Sequence, residues 1–184
     1  MFTTYNYSPN FDLKKRKTKD IKFIVFHYTG MRNEKQAIKK LTDYSSKVSS
    51  HYFIKNNGEI LTLVPESYIA WHAGISQWKK YKSLNAYSIG IEISNPGHNF
   101  KYKNFSKKQI FAILKLSRLL QKKYEIQPNN FLGHSDIAPN RKIDPGEKFP
   151  WKYLSKKKIG YWHNLNYQKL LKQRMIEIDN LEKI

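Results

Sequence analysis

The sequence contains no cysteine in 184 residues. This absence excludes a disulfide framework, a thiolate metal site, a cysteine nucleophile and a lipidated N-terminal cysteine. Any metal ion would therefore have to be held by histidine, aspartate or glutamate side chains.

Acidic residues are scarce, with 14 Asp and Glu against 34 Lys and Arg, which gives a formal net charge of +20. This charge favours an anionic partner, and nucleic acid, an acidic glycan and a membrane surface all satisfy it. Hydrophobic residues make up 40% of the chain and aromatic residues 15%, which excludes a disordered basic tail. Because the length allows one sizeable core, we predict a single domain over residues 1–184.

Long apolar runs are missing as well. No stretch approaches 18 consecutive apolar residues, and the first 20 residues lack a basic start followed by an apolar segment. We therefore predict no integral membrane segment and no secretory signal, which favours a cytoplasmic location. Export to the periplasm by an unconventional route stays open as the alternative. The basic run at residues 14–19 is typical of a nucleic-acid patch or of a solvated segment before the first strand, and we favour the solvated segment.

Apolar patterning predicts both strands and helices. A nearly continuous apolar run and a strict alternation predict strands at residues 21–28 and 88–94, and Asn57-Gly58 predicts a hairpin within residues 51–64. Helical spacing predicts helices at residues 33–47, 106–124 and 167–181, while a short strand near Phe131 leads into a shaped loop after His134. These elements lack a clean βαβ alternation, so we predict an α/β domain with a mixed central sheet flanked by helices.

Two of the six histidines stand at positions suited to a site. His27 and His134 each follow an apolar, strand-like run and enter a loop, where side chains on a rigid scaffold can converge. Pro145 holds Asp144 in an extended conformation, which directs Lys142 and Asp144 to the same side. Two histidines and one carboxylate leave an open fourth position, as in a hydrolytic zinc site. The alternative is that both histidines merely end strands.

Five ordered motifs carry a family resemblance: VFHYTG, VSSHYFI, WHAGIS, SIGIEISN and GHSDIAPNRKIDPGEKFPW. In this order and spacing, over about residues 20–155, the chain resembles the zinc-dependent N-acetylmuramoyl-L-alanine amidases of the AmpD/AmiD type. These amidases share a superfamily with phage lysozyme-amidases and peptidoglycan recognition proteins. The resemblance implies a peptidoglycan-recognition-protein-like amidase fold. We expect the helix at residues 167–181, which lies beyond the resemblance, to pack on this core.

The resemblance also implies roles for single residues. It implies one zinc ion per chain, held by His27, His134 and Asp144. Glu92 falls on the family's catalytic acidic residue and Lys142 on its basic residue, while Trp71, His72 and Arg141 are assigned to substrate binding. Independently, strict alternation places Glu92 on the polar face of its strand, from which a carboxylate can move a proton; an outward-facing surface residue is the alternative.

One position departs from part of the superfamily, because Ser50 stands where phage amidases have a tyrosine before the histidine of this motif. No role for that tyrosine is carried over, and we interpret His51 as a buried strand residue rather than a catalytic one. His98 and His163 receive no role.

The function implied is hydrolysis of the amide bond between N-acetylmuramic acid, or its 1,6-anhydro form, and L-alanine of the peptidoglycan stem peptide. The partners would be peptidoglycan fragments or anhydro-muropeptides. Two alternatives stay open. One is a non-catalytic peptidoglycan-binding module of the same fold, and the other is a basic nucleic-acid-binding protein, although the chain has no recognisable nucleic-acid motif.

Overall fold

The computed structural model describes residues 4–163, 165–166 and 169. Ten strands lie in these residues: β1 (Thr4–Tyr5), β2 (Phe11–Asp12), β3 (Phe23–Tyr28), β4 (Tyr52–Ile54), β5 (Ile60–Thr62), β6 (Ile69–Ala70), β7 (Gln77–Trp78), β8 (Tyr81–Lys82), β9 (Ser88–Ile93) and β10 (Phe131–Gly133). The same residues form four α-helices: α1 (Glu34–Thr42), α2 (Lys107–Tyr124), α3 (His134–Ile137) and α4 (Trp151–Ser155). The helix predicted at residues 167–181 lies outside the described residues, apart from Lys169.

A six-stranded sheet with the order β1-β5-β4-β9-β3-β10 forms the centre of the fold. Strand β3 pairs in parallel with both β9 and β10, and β4 also runs parallel to β9. Strands β4 and β5 are antiparallel and form the hairpin predicted around Asn57-Gly58. The predicted mixed sheet is therefore confirmed.

The two faces of the sheet have different coverings. Ile24 and Phe26 of β3 pack in one core cluster with Ile113 and Leu116 of α2. The other face carries two smaller clusters, one around Val25 and residues 73–84 and one formed with α1. Because side chains alternate along a strand, His27 shares the face of Val25, opposite the face covered by α2.

The beginnings of both long helices agree with their predicted caps. Ser106 Oγ accepts a hydrogen bond from the Gln109 N–H at 3.1 Å, and Gln109 Oε1 accepts one from the Ser106 N–H at 2.9 Å. Asn33 Oδ1 accepts from the Gln36 N–H at 2.8 Å. Helix α1, however, ends at Thr42 and not at residue 47. The Asp43 side chain accepts from the Ser45 N–H at 2.9 Å and begins a separate 3₁₀ turn, which competes with continuation of the helix.

The segment after β10 also differs from its prediction as a loop. Residues 134–137 form one turn of helix, α3, and helix α4 begins at Trp151, the last residue of the predicted loop. The Gly133 N–H donates to Asp136 Oδ2 at 2.6 Å, which stabilises the first of these turns. His134 is therefore the first residue of a helical turn.

None of the helices among the described residues combines the length and the apolar character needed to cross a lipid bilayer.

Candidate active site

The register of three parallel strands assembles the site. His27 lies opposite Glu92 in the β3–β9 pair, and Phe26 lies opposite Gly133 in the β3–β10 pair. His134, the residue after Gly133, therefore emerges beside His27. Hydrophobic residues on both sides of these strands bury the backbone, so polar side chains at their carboxyl ends are held on a rigid support.

His27, His134 and Asp144 form one buried group. Their ligand atoms all lie within 4.8 Å of one another. The two Nδ1 atoms are 2.9 Å apart, and Asp144 Oδ2 lies 3.1 Å from each of them. The structure thus brings together all three of the predicted metal ligands.

The donor set of this group fits a zinc ion. A tetrahedral ion with metal–ligand bonds of ~2.1 Å separates its ligand atoms by roughly 3.4 Å, close to the distances between these three atoms. Two histidines and a carboxylate supply three ligands and leave one position open. Burial, and then the neighbouring His134, lower the pKa of His27 to about 4, so the imidazole is in the neutral form that binds a metal.

Glu92 faces the same cleft with an unusual carboxyl group. Its Oε2 is buried and has no hydrogen-bond partner among the described residues. Burial, and then the charge of Asp144, raise the pKa of Glu92 to about 8. A carboxyl group with a pKa near neutrality can both accept and release a proton, which is typical of general acid–base groups.

A cleft of about 440 Å³ gathers the rest of the predicted site. Seven of the eight predicted residues line it: Trp71, His72, Glu92, His134, Arg141, Lys142 and Asp144. The eighth, His27, is 1% exposed and lies directly beneath, where its ring nitrogens contact His72, His134 and Asp144. Lys142 and Asp144 line the same cleft, although Asp144 lies in a turn and not in the predicted extended segment.

The residues predicted to bind substrate also form hydrogen bonds to neighbouring segments of the protein that stabilise the walls of the cleft. Trp71 Nε1 donates to Asp12 Oδ1 at 2.7 Å. The Arg141 guanidinium donates to the carbonyls of Ala73 and Ile75. Both ring nitrogens of His72 are bonded within the protein, one to His27 and the other to Ser88. Contact of these three residues with a substrate stays a prediction.

Arg16 is a polar residue near the site that the sequence did not single out, whereas His51 is predicted to be buried. Arg16 comes from the basic run that we interpreted as solvated, yet its guanidinium donates to the carbonyls of Glu66, Asn85 and Ser88. No pattern distinguishes Arg16 from its neighbouring lysines. His51 is fully buried, and its Nδ1 accepts from the Gly90 N–H at 3.0 Å.

Sheet and site together define this chain as an α/β domain in which a His-His-Asp group lies beside a glutamate, an arrangement suited to metal-dependent hydrolysis. Residues 17–147 match the family model Amidase_2, N-acetylmuramoyl-L-alanine amidase. The chain belongs to this family.

Individual relatives agree with this assignment. N-acetylmuramoyl-L-alanine amidase AmiD of Escherichia coli is 43% identical over 154 residues, covering 77% of this chain and 55% of AmiD. The 1,6-anhydro-N-acetylmuramyl-L-alanine amidase AmpD of Haemophilus influenzae is 33% identical over 167 residues, covering 80% of this chain and 88% of AmpD. The chain therefore spans about half the length of AmiD and most of the length of this AmpD.

A solved structure shares the fold. It is the complex of E. coli AmiD with the substrate anhydro-N-acetylmuramic acid-L-Ala-D-gamma-Glu-L-Lys, which matches with a TM-score of 0.72 and 38% identity. The match covers 85% of this chain and 63% of the AmiD chain. The peptidoglycan-recognition-protein-like amidase fold implied by the sequence is confirmed.

Proposed function

We propose that this chain is a single amidase domain that hydrolyses the bond between the lactyl group of N-acetylmuramic acid and L-alanine of the stem peptide. One observation carries the proposal: the His27, His134 and Asp144 ligand atoms converge next to Glu92 Oε2, for which the described part of the chain supplies no hydrogen-bond partner. A module that only binds peptidoglycan needs neither a three-ligand metal group nor a glutamate with a buried carboxyl oxygen.

The metal in this proposal is zinc, held by His27, His134 and Asp144. Bound there, zinc would supply a Lewis acid that makes water more acidic and polarises the scissile carbonyl. Glu92 Oε2 takes a proton from the attacking water and returns it to the amine nitrogen that leaves. Lys142 Nζ places a positive charge where negative charge develops on the carbonyl oxygen.

For the substrate we propose a muropeptide with a 1,6-anhydro sugar, acted on in cell-wall turnover or recycling. Support comes from the relatives, since AmpD is named for the 1,6-anhydro substrate and AmiD was solved with an anhydro-muramic acid peptide. The compartment in which the domain acts stays a prediction.

The first test is a product assay on the zinc-loaded protein. Soluble anhydro-muropeptide and intact sacculi are incubated side by side, and mass spectrometry identifies the products. We expect the intact stem peptide to be released from the soluble substrate, and a chelator to stop its release. Binding of muropeptide without any released peptide would instead support the non-catalytic module, and duplex-DNA binding by a zinc-free protein would support the nucleic-acid alternative.

The ligand set is tested by Asp144→Ala. Because this change removes one of three ligands, we expect less zinc to remain after dialysis than in the wild type. Glu125→Ala, which removes an exposed carboxylate outside the cleft, is the matched control. Equal zinc content in the Asp144→Ala protein and the wild type would show that Asp144 is not a ligand.

A further inference from the structure

The dipeptide His72-Ala73 lies directly behind the two histidines of the metal group. His72 Nδ1 is 3.1 Å from His27 Nε2, and the Ala73 carbonyl is 3.1 Å from His134 Nε2. Asn85 Oδ1 accepts from the N–H groups of both His72 and Ala73, at 3.0 and 2.7 Å. One short segment, fixed by one side chain, therefore contacts both histidines on the side away from Asp144.

The Leu84 carbonyl, which can only accept, sets the direction of the hydrogen bonds that run through Ser88 and His72 to His27. Ser88 has one hydroxyl proton, which it donates to the Leu84 carbonyl at 2.5 Å. At His72 Nε2, 3.2 Å away, Ser88 Oγ can then only accept, so His72 carries its proton on Nε2. The His72 ring is buried, and its two nitrogens contact Ser88 and His27 with no carboxylate of the described residues beside them to balance a positive charge, so the ring is neutral and its Nδ1 is an acceptor.

This direction determines the tautomer of His27. Because His72 Nδ1 accepts, His27 donates from Nε2, and the neutral His27 ring keeps its lone pair on Nδ1. The same reasoning holds for His134, whose Nε2 faces the Ala73 carbonyl, a group that can only accept. Both Nδ1 lone pairs therefore point to the place where the three ligand atoms converge.

Strand β9 is shaped to receive the His72 ring. A Cβ atom on Gly90 would lie 2.3 Å from His72 Cγ, so only glycine leaves room for the imidazole at that position. Ser88, two residues earlier on the same face, is the hydrogen-bond acceptor. The sequence Ser88-Ile89-Gly90 thus provides both the space and the partner that His72 needs.

We infer that His72 and Ser88 are positioning residues. They connect the Leu84 carbonyl to His27 through hydrogen bonds of fixed direction, and this direction fixes the His27 tautomer that presents Nδ1 to the metal ion. The inference rests on the proposed function in one respect, namely that His27 is a metal ligand. Outer hydrogen bonds of this kind commonly change metal affinity by 10- to 100-fold.

The first test measures the zinc dissociation constant of the full chain by chelator competition. His72→Phe keeps a ring but removes the acceptor, and we expect its dissociation constant to rise ~10- to 100-fold. His72→Asn places an amide oxygen near the position of Nδ1, so we expect it to stay within about threefold of wild type and thus rescue the loss. His98→Phe changes a histidine that does not contact the metal group and is the matched control.

The second test reads the tautomer directly, from the ¹⁵N chemical shifts of His27 in the metal-free protein. We expect an Nε2-protonated ring in the wild type and in His72→Asn, and a mixture of tautomers in His72→Phe. A purely structural role for His72 would lower the unfolding temperature and leave the His27 tautomer unchanged. If His72→Phe does not fold, Ser88→Ala takes its place, because loss of the acceptor frees His72 to adopt either tautomer.

The outcomes separate this inference from the proposed function. Wild-type zinc affinity and an unchanged His27 tautomer in His72→Phe, or in Ser88→Ala if that variant replaces it, would overturn the inference while leaving the amidase proposal intact. Failure of the wild type to bind zinc would overturn the proposed metal site and, with it, the role assigned to the tautomer.

Discussion

At the scale of the residue, Glu92 illustrates how burial prepares a side chain for proton transfer. The strand register holds its carboxyl beside His27, and no described group satisfies its Oε2. Such an arrangement costs folding free energy, because a buried polar atom without a partner is unfavourable. The same arrangement leaves the atom free to bond with a molecule that enters the cleft.

Glu92→Gln tests this interpretation. The amide has nearly the same size but cannot take a proton, so we expect zinc content to stay at the wild-type level and kcat to fall ~100- to 10,000-fold. Turnover of anhydro-muropeptide and metal analysis of the same sample provide the two readouts. Glu125→Gln is the control for loss of a carboxylate, and a wild-type rate in Glu92→Gln would exclude Glu92 as the proton-transfer group.

Sequence patterns could predict which residues gather at the cleft, but not all of their contacts. The two histidine ligands are visible because they end strand-like runs, the aspartate ligand because it precedes Pro145, and Glu92 because it alternates with apolar residues, while their roles come from the family resemblance. The hydrogen bonds of His72 are not visible, because they depend on packing against Gly90, 18 positions away along the chain. The contacts of Arg16 cannot be predicted from the sequence for a similar reason, since its carbonyl partners belong to segments about 50 to 70 residues away.

At the scale of the element, β9 shows how one strand serves two purposes. Its isoleucines at 89, 91 and 93 join the core cluster with α2. Its other face carries Ser88, Gly90 and Glu92 towards the site. The alternation therefore predicts which side chains of β9 leave the core, but not what they do. The end of α1 at Thr42 depends on a local competition by Asp43 that helical spacing does not reveal.

Gly90→Ala tests the fit of the His72 ring against β9. The added Cβ would overlap the ring, and overpacking of this kind costs about 1–3 kcal/mol of unfolding free energy. We expect a smaller cost in a His72→Ala background, where the ring is gone. Urea unfolding of the two single variants and the double variant measures this coupling, and additive costs would contradict the contact.

The Glu66 carboxylate joins the C-terminal end of helix α2 to strand β4. Glu66 accepts hydrogen bonds from the hydroxyls of Tyr52 and Tyr124 and pairs with Lys123. Burial, and then the hydrogen bond to Glu66, raise the pKa of Tyr124 to about 12. The neutral hydroxyl is thus favoured in the folded state, so its contribution is complete below pH 10 and is lost as the pH rises towards 12.

Tyr124→Phe should therefore make the free energy of unfolding less dependent on pH above pH 10. At neutral pH we expect a loss of about 1–3 kcal/mol, since a hydrogen bond to a charged group is removed. Between pH 10 and 12 the wild type should lose stability faster than the variant, as measured by urea unfolding at each pH. Tyr153→Phe, with an exposed ring, is the control, and parallel profiles of wild type and Tyr124→Phe would contradict the expectation.

At the scale of the whole molecule, the proposed function identifies the anionic partner that the net charge of +20 would attract, namely the peptidoglycan stem peptide. Stem peptides carry free carboxylates, and a positive protein attracts them over a range set by the Debye length. The sequence predicts the charge and the mixed sheet, but the strand order depends on pairing between distant segments and is seen only in the structure.

Salt dependence tests this long-range attraction. We expect kcat/KM for an anionic muropeptide to fall as ionic strength rises, whereas kcat changes little, because screening affects encounter more than chemistry. A muropeptide with amidated carboxyl groups is the matched control and should show a weaker salt dependence. Equal salt dependence for both substrates would show that the stem-peptide carboxylates do not take part in this attraction.

The parallel pairing of β3 with β9 and β10 also sets an order of events during synthesis of the chain. His27 and Asp144 are 117 residues apart, and a ribosome adds about 5–20 residues per second, so roughly 6–23 s pass between them. Within that interval β9 is synthesised first, and β10 and His134 follow only shortly before Asp144, so for most of it His27 has no companion ligand. Capture of a metal ion would therefore mark the completion of the central sheet in the newly made chain.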